Sequence, residues 1–100
     1  MKNTVYDILQ KIPKGKVVTY GQIAEMLGKK SLARHVGNIL HENPDGDLYP
    51  CYKVVNCKGR LSEGYAFGGI EMQKERLEAD GIAVVDFRVN LAEYRWKENE

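Results

Sequence analysis

The sequence predicts a mainly α-helical fold with short β elements, an α+β domain, and two observations support this. Apolar residues recur at helical spacing in several segments, whereas the β-branched stretches between them are short. Of the 100 residues, 43% are hydrophobic and 29% are charged, which is ordinary for a globular chain of one domain. We therefore expect residues 1–100 to form a single domain, with 83–100 as its C-terminal extension.

The first half of the chain carries the helical patterns. A helix is predicted over 4–12, with Asn3 as its N-cap, because Val5, Ile8, Leu9 and Ile12 repeat at i, i+3, i+4 and i+7. A short β-branched stretch over 16–19 precedes a second helix over 20–28, which Gly28 ends. Ser31 is expected to cap a third helix that reaches Glu42. The short turn between these last helices is typical of a helix-turn-helix, so a winged helix-turn-helix-like domain is expected.

The third predicted helix has two different faces. Its core-facing stripe consists of Leu32, Val36, Ile39 and Leu40. The opposite face carries Arg34, Asn38 and His41 at i, i+4 and i+7. Gly37 lies inside this helix, where glycine costs about 1 kcal/mol relative to alanine. Either a close approach to another surface or simple helix packing explains that cost.

The second half begins with a short strand predicted over 52–55. A loop with unusual backbone freedom follows, containing Gly59, Gly64, Gly68 and Gly69. A helix is predicted over 70–80 from the loose stripe of Ile70, Gln73, Leu77 and Ala79. Residues 83–89 are expected to form a strand, and 91–96 a terminal turn or short helix.

Charge is distributed unevenly along the chain. Residues 1–60 carry a balance of +5 and residues 61–100 a balance of −4, which together give the net +1. A basic first half suits a polyanionic partner, and a solvated surface with chance clustering is the alternative. No apolar run is long enough to cross a membrane, and the N-terminus has no apolar signal region. We therefore expect a cytoplasmic monomer with no membrane partner.

The two cysteines, Cys51 and Cys57, are too few for a disulfide framework. Neither belongs to a CxxC pair and the histidines lie apart from them, so no metal site is expected. Cys51 follows Pro50 at a loop–strand junction, where a thiolate would be the one strong nucleophile of this chain. The alternative interpretation is a small buried apolar residue, which is also the interpretation for Cys57.

Several segments occur in the order typical of one protein family. They are Ile12–Ala24 (IPKGKVVTYGQIA), Arg34–Gly37 (RHVG), Asn43-Pro44, Pro50–Val55 (PCYKVV) and Gly64–Gly69 (GYAFGG). Together they resemble the DNA-binding domain of the methylated-DNA–protein-cysteine methyltransferases, over residues 3–82. The separate N-terminal domain common in that family is not part of this sequence.

The resemblance implies a partner and a mode of binding. Family members bind double-stranded DNA that carries O6-alkylguanine from the minor groove and rotate the damaged nucleotide into a pocket. Arg34 matches the residue that fills the gap in the base stack, and Tyr20 the one that crowds the adjacent phosphate and lines the pocket. Gly37 lets the recognition helix approach the DNA, with Asn38 and His41 as further DNA-binding residues.

The resemblance also implies the residues of the reaction. Asn43 matches the asparagine that braces the turn of the reactive cysteine, and Val54 lies where the backbone holds the guanine amino edge. Tyr65 and Ala66 close the pocket and offer a donor to the departing oxygen. Cys51 attacks the alkyl carbon and keeps it as a thioether, so the protein acts once and needs no cofactor.

The chain departs from the family pattern beside the cysteine. The usual Pro-Cys-His-Arg has a histidine, backed by a glutamate, that draws a proton from the cysteine through a water. Here Tyr52 and Lys53 replace the histidine and arginine, and Asp80 stands for the glutamate, one methylene shorter. Tyrosine is a poor proton acceptor at neutral pH, so both slow transfer and no transfer are compatible with the sequence.

Two alternatives to a single-turnover transferase follow. The first is a non-catalytic lesion sensor similar to the alkyltransferase-like proteins, which bind the damaged base and recruit excision-repair proteins. Those proteins typically carry tryptophan in place of the cysteine, but Tyr52 and the segment ending in Tyr94-Arg95-Trp96 are similar to theirs. The second alternative is a sequence-specific regulator of winged-helix type, which would discriminate among undamaged DNA sequences.

Overall fold

The fold is known from a computed structural model, which describes residues 2–62 and 65–97. In chain order the elements are α1 (Lys2–Lys11), β1 (Val18–Thr19), α2 (Tyr20–Met26), α3 (Ala33–His41), β2 (Val54–Val55), α4 (Gly69–Ala79) and α5 (Leu91–Tyr94). Single 3₁₀ turns occur at Lys30–Leu32 and Cys51–Lys53. Gly64 of the predicted glycine-rich loop lies outside the described residues. The predicted class, mainly helical with short β elements, is confirmed.

The small sheet joins the two halves of the chain. Strands β1 and β2 pair in parallel, with Val18 opposite Val54 and Thr19 opposite Val55. Buried side chains of α1, α2, α3 and α4 belong to the same hydrophobic core as this pair. The largest fully buried apolar side chains are Val5, Leu9, Val17, Val18, Ile23, Val36, Val54, Val55, Leu77 and Ile82. Because β2 directly follows the Cys51–Lys53 turn, the core fixes the position of Cys51.

The start of α2 is held by a capping box that the sequence analysis did not identify. The Thr19 hydroxyl accepts a hydrogen bond of 3.0 Å from the Gln22 amide, while the Gln22 side chain accepts one of 3.4 Å from the Thr19 amide. The same Gln22 side chain donates to the Trp96 carbonyl. This bond ties the first turn of α2, where Tyr20 lies, to the C-terminal segment, residues 89–97.

The C-terminal segment crosses from the turn after β2 to β1. Val89 donates a backbone hydrogen bond of 2.9 Å to the Gly59 carbonyl. At the other end, Val17 donates to the Tyr94 carbonyl and Trp96 donates back to the Val17 carbonyl, each at 2.8 Å. The segment thus contributes a short bridge beside β1.

Four sequence-based expectations about local structure were wrong. Asn3 does not cap the first helix, because α1 already begins at Lys2. Ser31 lies in the 3₁₀ turn, and Leu32 occupies the N-cap position of α3 without a side-chain bond. The predicted strand over 52–55 is confined to Val54–Val55, since the residues before it form a 3₁₀ turn.

The fourth wrong expectation is the strand over 83–89. This segment forms a tight turn in which Val85 and Arg88 bridge each other. Asp86 and Phe87 adopt φ values of 52° and 58°, in the left-handed region, which reverse the chain direction. Of its apolar residues, Val89 is buried and Val84 and Phe87 pack against the core, whereas Val85 is 69% exposed.

Candidate functional site

A cavity of about 300 Å³ opens between α3, the Cys51–Lys53 turn and the loop before α4. The structure brings eight of the residues singled out by sequence into its wall: Tyr20, Gly37, Asn38, His41, Cys51, Val54, Tyr65 and Ala66. Leu40, Ser62 and Gln73 complete the lining. Arg34, Asn43, Tyr52 and Asp80 do not line it. A volume of this size lies at the lower end of the range for small-molecule pockets.

Cys51 sits in the cavity wall as the first residue of its 3₁₀ turn, with 5% of its surface exposed. Burial raises the pKa of the thiol above its ordinary value. The Asn43 side chain and the positive charge of Arg76 act in the opposite direction on this pKa, but burial outweighs them. The thiol is therefore placed for reaction with an occupant of the cavity, and it is protonated at neutral pH.

Asn43 fixes the loop that leads to Cys51. Its Nδ2 donates a hydrogen bond of 2.7 Å to the Tyr49 carbonyl, and its Oδ1 accepts one of 3.0 Å from the Asp45 amide. The Cys51 amide donates to the same Tyr49 carbonyl at 2.7 Å. The Asn43 side chain thus connects the two ends of the loop over residues 45–49.

Gln73 holds the other side of the turn. It is 1% exposed, and its Nε2 donates hydrogen bonds of 3.0 Å to the Tyr52 and Val54 carbonyls. Its Oε1 accepts one of 2.7 Å from the Ser62 amide. In the sequence, Gln73 falls within an apolar stripe, and the spacing gives no indication of this role. A polar residue at a core position of α4 was the available signal, because a buried amide requires partners.

Tyr65 lines the cavity and is 8% exposed. Its hydroxyl is buried and makes no hydrogen bond of good geometry among the described residues, although the Arg76 side chain is near enough to act on its pKa. Burial also raises the pKa of this hydroxyl, which keeps it protonated. A buried donor without a partner is costly, so an acceptor that reached this hydroxyl would be stabilised.

Tyr52 and Asp80 contact each other. The Tyr52 hydroxyl donates a hydrogen bond of 2.9 Å to Oδ2 of Asp80. Burial and the neighbouring carboxylate raise the pKa of Tyr52. Lys53 Nζ lies 3.9 Å from the same carboxylate oxygen and donates to the Ile12 carbonyl at 3.0 Å. The pair is thus a neutral phenol beside a carboxylate that a buried cation also contacts.

The outer face of α3 is exposed, as expected from the sequence. Arg34, Asn38 and His41 all belong to it, and the last two reach the edge of the cavity. A side chain at Gly37 would meet only Tyr20 within 4 Å, at the ordinary contact distance of 3.9 Å. Packing inside the chain therefore does not require glycine here. A close approach by another molecule remains the prediction for this position.

Within 2–62 and 65–97, no group of three or more His, Cys, Asp or Glu residues could hold a metal ion. Across the same part of the chain, no helix is both long and apolar enough for a membrane span.

The fold and site define a class: a small helical domain with a helix-turn-helix-like pair beside a cavity that contains a cysteine. The pattern for the DNA-binding domain of 6-O-methylguanine DNA methyltransferase matches residues 1–82. The chain belongs to this family.

Similar proteins include base-flipping or alkyltransferase-like proteins and methyltransferases. The DNA base-flipping protein of Vibrio parahaemolyticus is 39% identical over 94 residues, which cover 93% of this chain and 92% of that protein. Alkyltransferase-like protein 1 of Schizosaccharomyces pombe is 39% identical over 99 residues, covering 93% and 91%. The methylated-DNA–protein-cysteine methyltransferase of Shigella flexneri is 39% identical over 81 residues, which cover 81% of this chain but 46% of that protein.

Matching solved structures also include both kinds of protein. The fission yeast protein Atl1, in complex with damaged DNA containing O6-carboxymethylguanine, superposes with a TM-score of 0.87 at 37% identity, covering 96% of this chain and 94% of that one. The Mycobacterium tuberculosis protein OGT, in complex with DNA, gives 0.74 at 34% identity, covering 80% of this chain and 48% of that one. The present chain thus spans about half of the methyltransferases that it matches.

Proposed function

We propose that the protein binds duplex DNA carrying an O6-alkylguanine, takes the damaged nucleotide into the cavity and accepts the alkyl group on Cys51. The observation that carries this proposal is that Cys51 and Tyr65, with its unpartnered hydroxyl, line the same cavity. One supplies a nucleophile and the other a hydrogen-bond donor for the purine oxygen. Both would act on one extrahelical base.

The DNA-binding step is supported by the position of α3. Its exposed face carries Arg34 and runs to His41 at the mouth of the cavity. A base leaves the stack at a cost of a few kcal/mol, so a side chain that replaces it and a pocket that binds it must compensate. Arg34 is the proposed replacement in the stack, with α3 in the minor groove and Gly37 at the closest approach.

The transfer requires no reactant besides the protein and the alkylated guanine. The Cys51 sulfur forms a bond to the alkyl carbon while the bond from that carbon to O6 breaks, and its electron pair leaves with the purine. The thiol loses one proton in this reaction, and the released guanine takes up one proton. Tyr65 stabilises the departing oxygen through its hydroxyl. Because the thioether is stable, each molecule reacts once.

Intact mass after incubation with an O6-methylguanine duplex tests this function. The expected result is a gain of about 14 daltons, one methyl group for one hydrogen, located on Cys51. Cys57→Ser should keep the gain and Cys51→Ser should lose it. No gain in the unaltered protein after prolonged exposure, under conditions where it binds the duplex, would exclude transfer.

A lesion sensor that recruits excision-repair proteins is the second candidate function. Two observations favour it: similarity to Alkyltransferase-like protein 1 extends over nearly the whole of both chains, and Tyr52 offers no base to Cys51. A sensor would bind the alkylated duplex in preference to the plain one, gain no mass, and behave identically as Cys51→Ser. A mass gain on Cys51 would exclude this purely non-catalytic role.

A further inference from the structure

Helix α4 places one cation beside the cysteine turn. The Arg76 guanidinium lies over the Tyr52 ring, 4.8 Å from its centroid, and Tyr52 is the residue next to Cys51. One guanidinium nitrogen is 2.8 Å from a carboxylate oxygen of Asp47, in the loop that leads to the turn. The Arg76 side chain is 31% exposed and that of Asp47 is 86% exposed. Arg76 is therefore held in place between the loop and the turn.

From this geometry, we propose that Arg76 is a positioning residue for Cys51, whose fixed positive charge favours the thiolate in place of the missing histidine. The inference rests on the proposed chemistry of Cys51 and deepens it. An arginine is always protonated and therefore cannot accept the thiol proton. Its positive charge can still stabilise the negatively charged sulfur, as a protonated histidine would. The thiol proton then leaves to solvent.

Other groups that face Cys51 do not supply such a charge. Tyr6 on α1 and Tyr65 are neutral phenols whose own pKa values the thiolate would raise. Asn43 contributes a neutral amide, and the charge of Arg76 lowers the pKa of the thiol. Lys53, the last residue of the same turn, is a buried cation, but its Nζ donates to the Ile12 carbonyl and lies 3.9 Å from a carboxylate oxygen of Asp80. Among the described residues that line the cavity, His41 on α3 is the one side chain that can carry a positive charge. An experiment must therefore separate Arg76 from His41.

Because Arg76 is paired with Asp47, an electrostatic role can be distinguished from a structural one by the direction in which two substitutions change the Cys51 thiolate. Arg76→Met removes the cation, whereas Asp47→Asn removes the anion that partly offsets it, and both break the same contact. A structural role of the pair predicts the same change in both variants, because the loop loosens in each. The electrostatic role predicts opposite changes in the Cys51 thiolate.

The measurement is the pH dependence of Cys51 alkylation by iodoacetamide in a Cys57→Ser background, followed by intact mass without DNA. In this reaction the thiolate sulfur displaces iodide. We expect Arg76→Met to slow the reaction about three- to tenfold at neutral pH and to leave the high-pH plateau unchanged. Asp47→Asn should accelerate it, and Arg76→Lys should retain most of the unaltered rate.

Lys74→Met is the matched control, because it removes a cation from the same helix that lies over the Phe87 ring instead. Its pH profile should coincide with that of the unaltered protein. The inference is overturned if Arg76→Met and Asp47→Asn shift the profile in the same direction. It is also overturned if His41→Gln produces the shift expected of Arg76→Met. Since no DNA is present, this experiment tests the role of Arg76 even if Cys51 accepts no alkyl group from guanine.

Discussion

The Tyr52 hydroxyl donates its hydrogen bond to the Asp80 carboxylate, at 2.9 Å, and neither side chain lines the cavity. From the sequence resemblance, we expect this pair to occupy the positions of a histidine and a glutamate in the family. With its pKa raised by burial and by the carboxylate, the phenol stays neutral and its proton is committed to Asp80. It therefore cannot take the Cys51 proton as a general base.

Replacing Tyr52 with histidine should accelerate alkyl transfer. An imidazole beside Asp80 would be oriented by the carboxylate and would accept a proton near neutral pH, as the phenol does not. We expect the rate of methyl transfer to rise about tenfold or more, because general-base catalysis typically contributes at least that much. The measurement is the time course of the mass gain with an O6-methylguanine duplex in excess.

Tyr52→Phe is the control for that substitution. It removes the hydroxyl without supplying a base, so the transfer rate should remain as low as in the unaltered protein. If histidine and phenylalanine give equal rates, the residue beside Cys51 does not limit the reaction.

The buried thiol predicts a distinct pH dependence. The pKa of Cys51 lies above its ordinary value because burial disfavours the thiolate. At pH 7 iodoacetamide should therefore modify the exposed Cys57 well before Cys51. As pH rises through the raised pKa, the Cys51 rate should climb and the difference should narrow. Peptide mapping after timed labelling measures both rates, and equal labelling at pH 7 would contradict the assignment.

Arg34→Ala tests the proposed exchange of a side chain for a base. Without the long side chain the gap in the stack stays empty, so binding to an O6-alkylguanine duplex should weaken about tenfold and binding to plain duplex much less. Fluorescence anisotropy at fixed salt measures both affinities. Lys29→Ala, at an exposed cation in the turn before α3, should weaken both equally through lost charge. Equal losses for Arg34→Ala would argue against base flipping.

The helices are predicted well from the sequence, because apolar periodicity reflects which face of each helix is buried. The helix predicted over 70–80 is α4, Gly69–Ala79. The predicted secondary structure is wrong where tertiary contacts override the local sequence pattern. Residues 52 and 53 look like the start of a strand, but Gln73 binds the Tyr52 carbonyl from α4 while the chain turns.

For the candidate site, the resemblance identified residues whose identity the chemistry restricts, such as Cys51 and Tyr65 in the cavity wall. Residues on the second side of the turn were missed. Gln73 and Arg76 act through the packing of α4 against a loop far away in sequence. No local spacing encodes that contact, so only the folded chain reveals it.

Gln73→Met should destabilise the fold strongly. The substitution keeps the length of the side chain but leaves the Tyr52 and Val54 carbonyls and the Ser62 amide without their buried partner. Each unpaired buried group costs about 1–3 kcal/mol, partly recovered by relaxation. We expect the free energy of unfolding to fall by about 3 kcal/mol, measured by urea denaturation.

Gln10→Met provides the comparison. Gln10 also donates from its side chain to a backbone carbonyl, that of Leu48 at 3.3 Å, but at an exposed position where water replaces the bond. Its loss should change the free energy of unfolding by less than about 0.5 kcal/mol. Similar losses in both variants would mean that Gln73 does not hold the cysteine turn.

Gly59→Ala tests whether the C-terminal segment needs its close contact with the turn after β2. Gly59 has φ +83°, and a Cβ there would collide with the Val89 carbonyl oxygen, which belongs to that segment. Gly28→Ala is the control, since Gly28 has φ +107° but open space around it. Both variants incur left-handed strain of about 1–2 kcal/mol, and only Gly59→Ala adds the collision. We therefore expect a loss of about 3 kcal/mol or more at Gly59, measured by urea denaturation. Equal losses in the free energy of unfolding would show that the C-terminal segment moves away without an energetic cost, because the left-handed strain alone would then account for both variants.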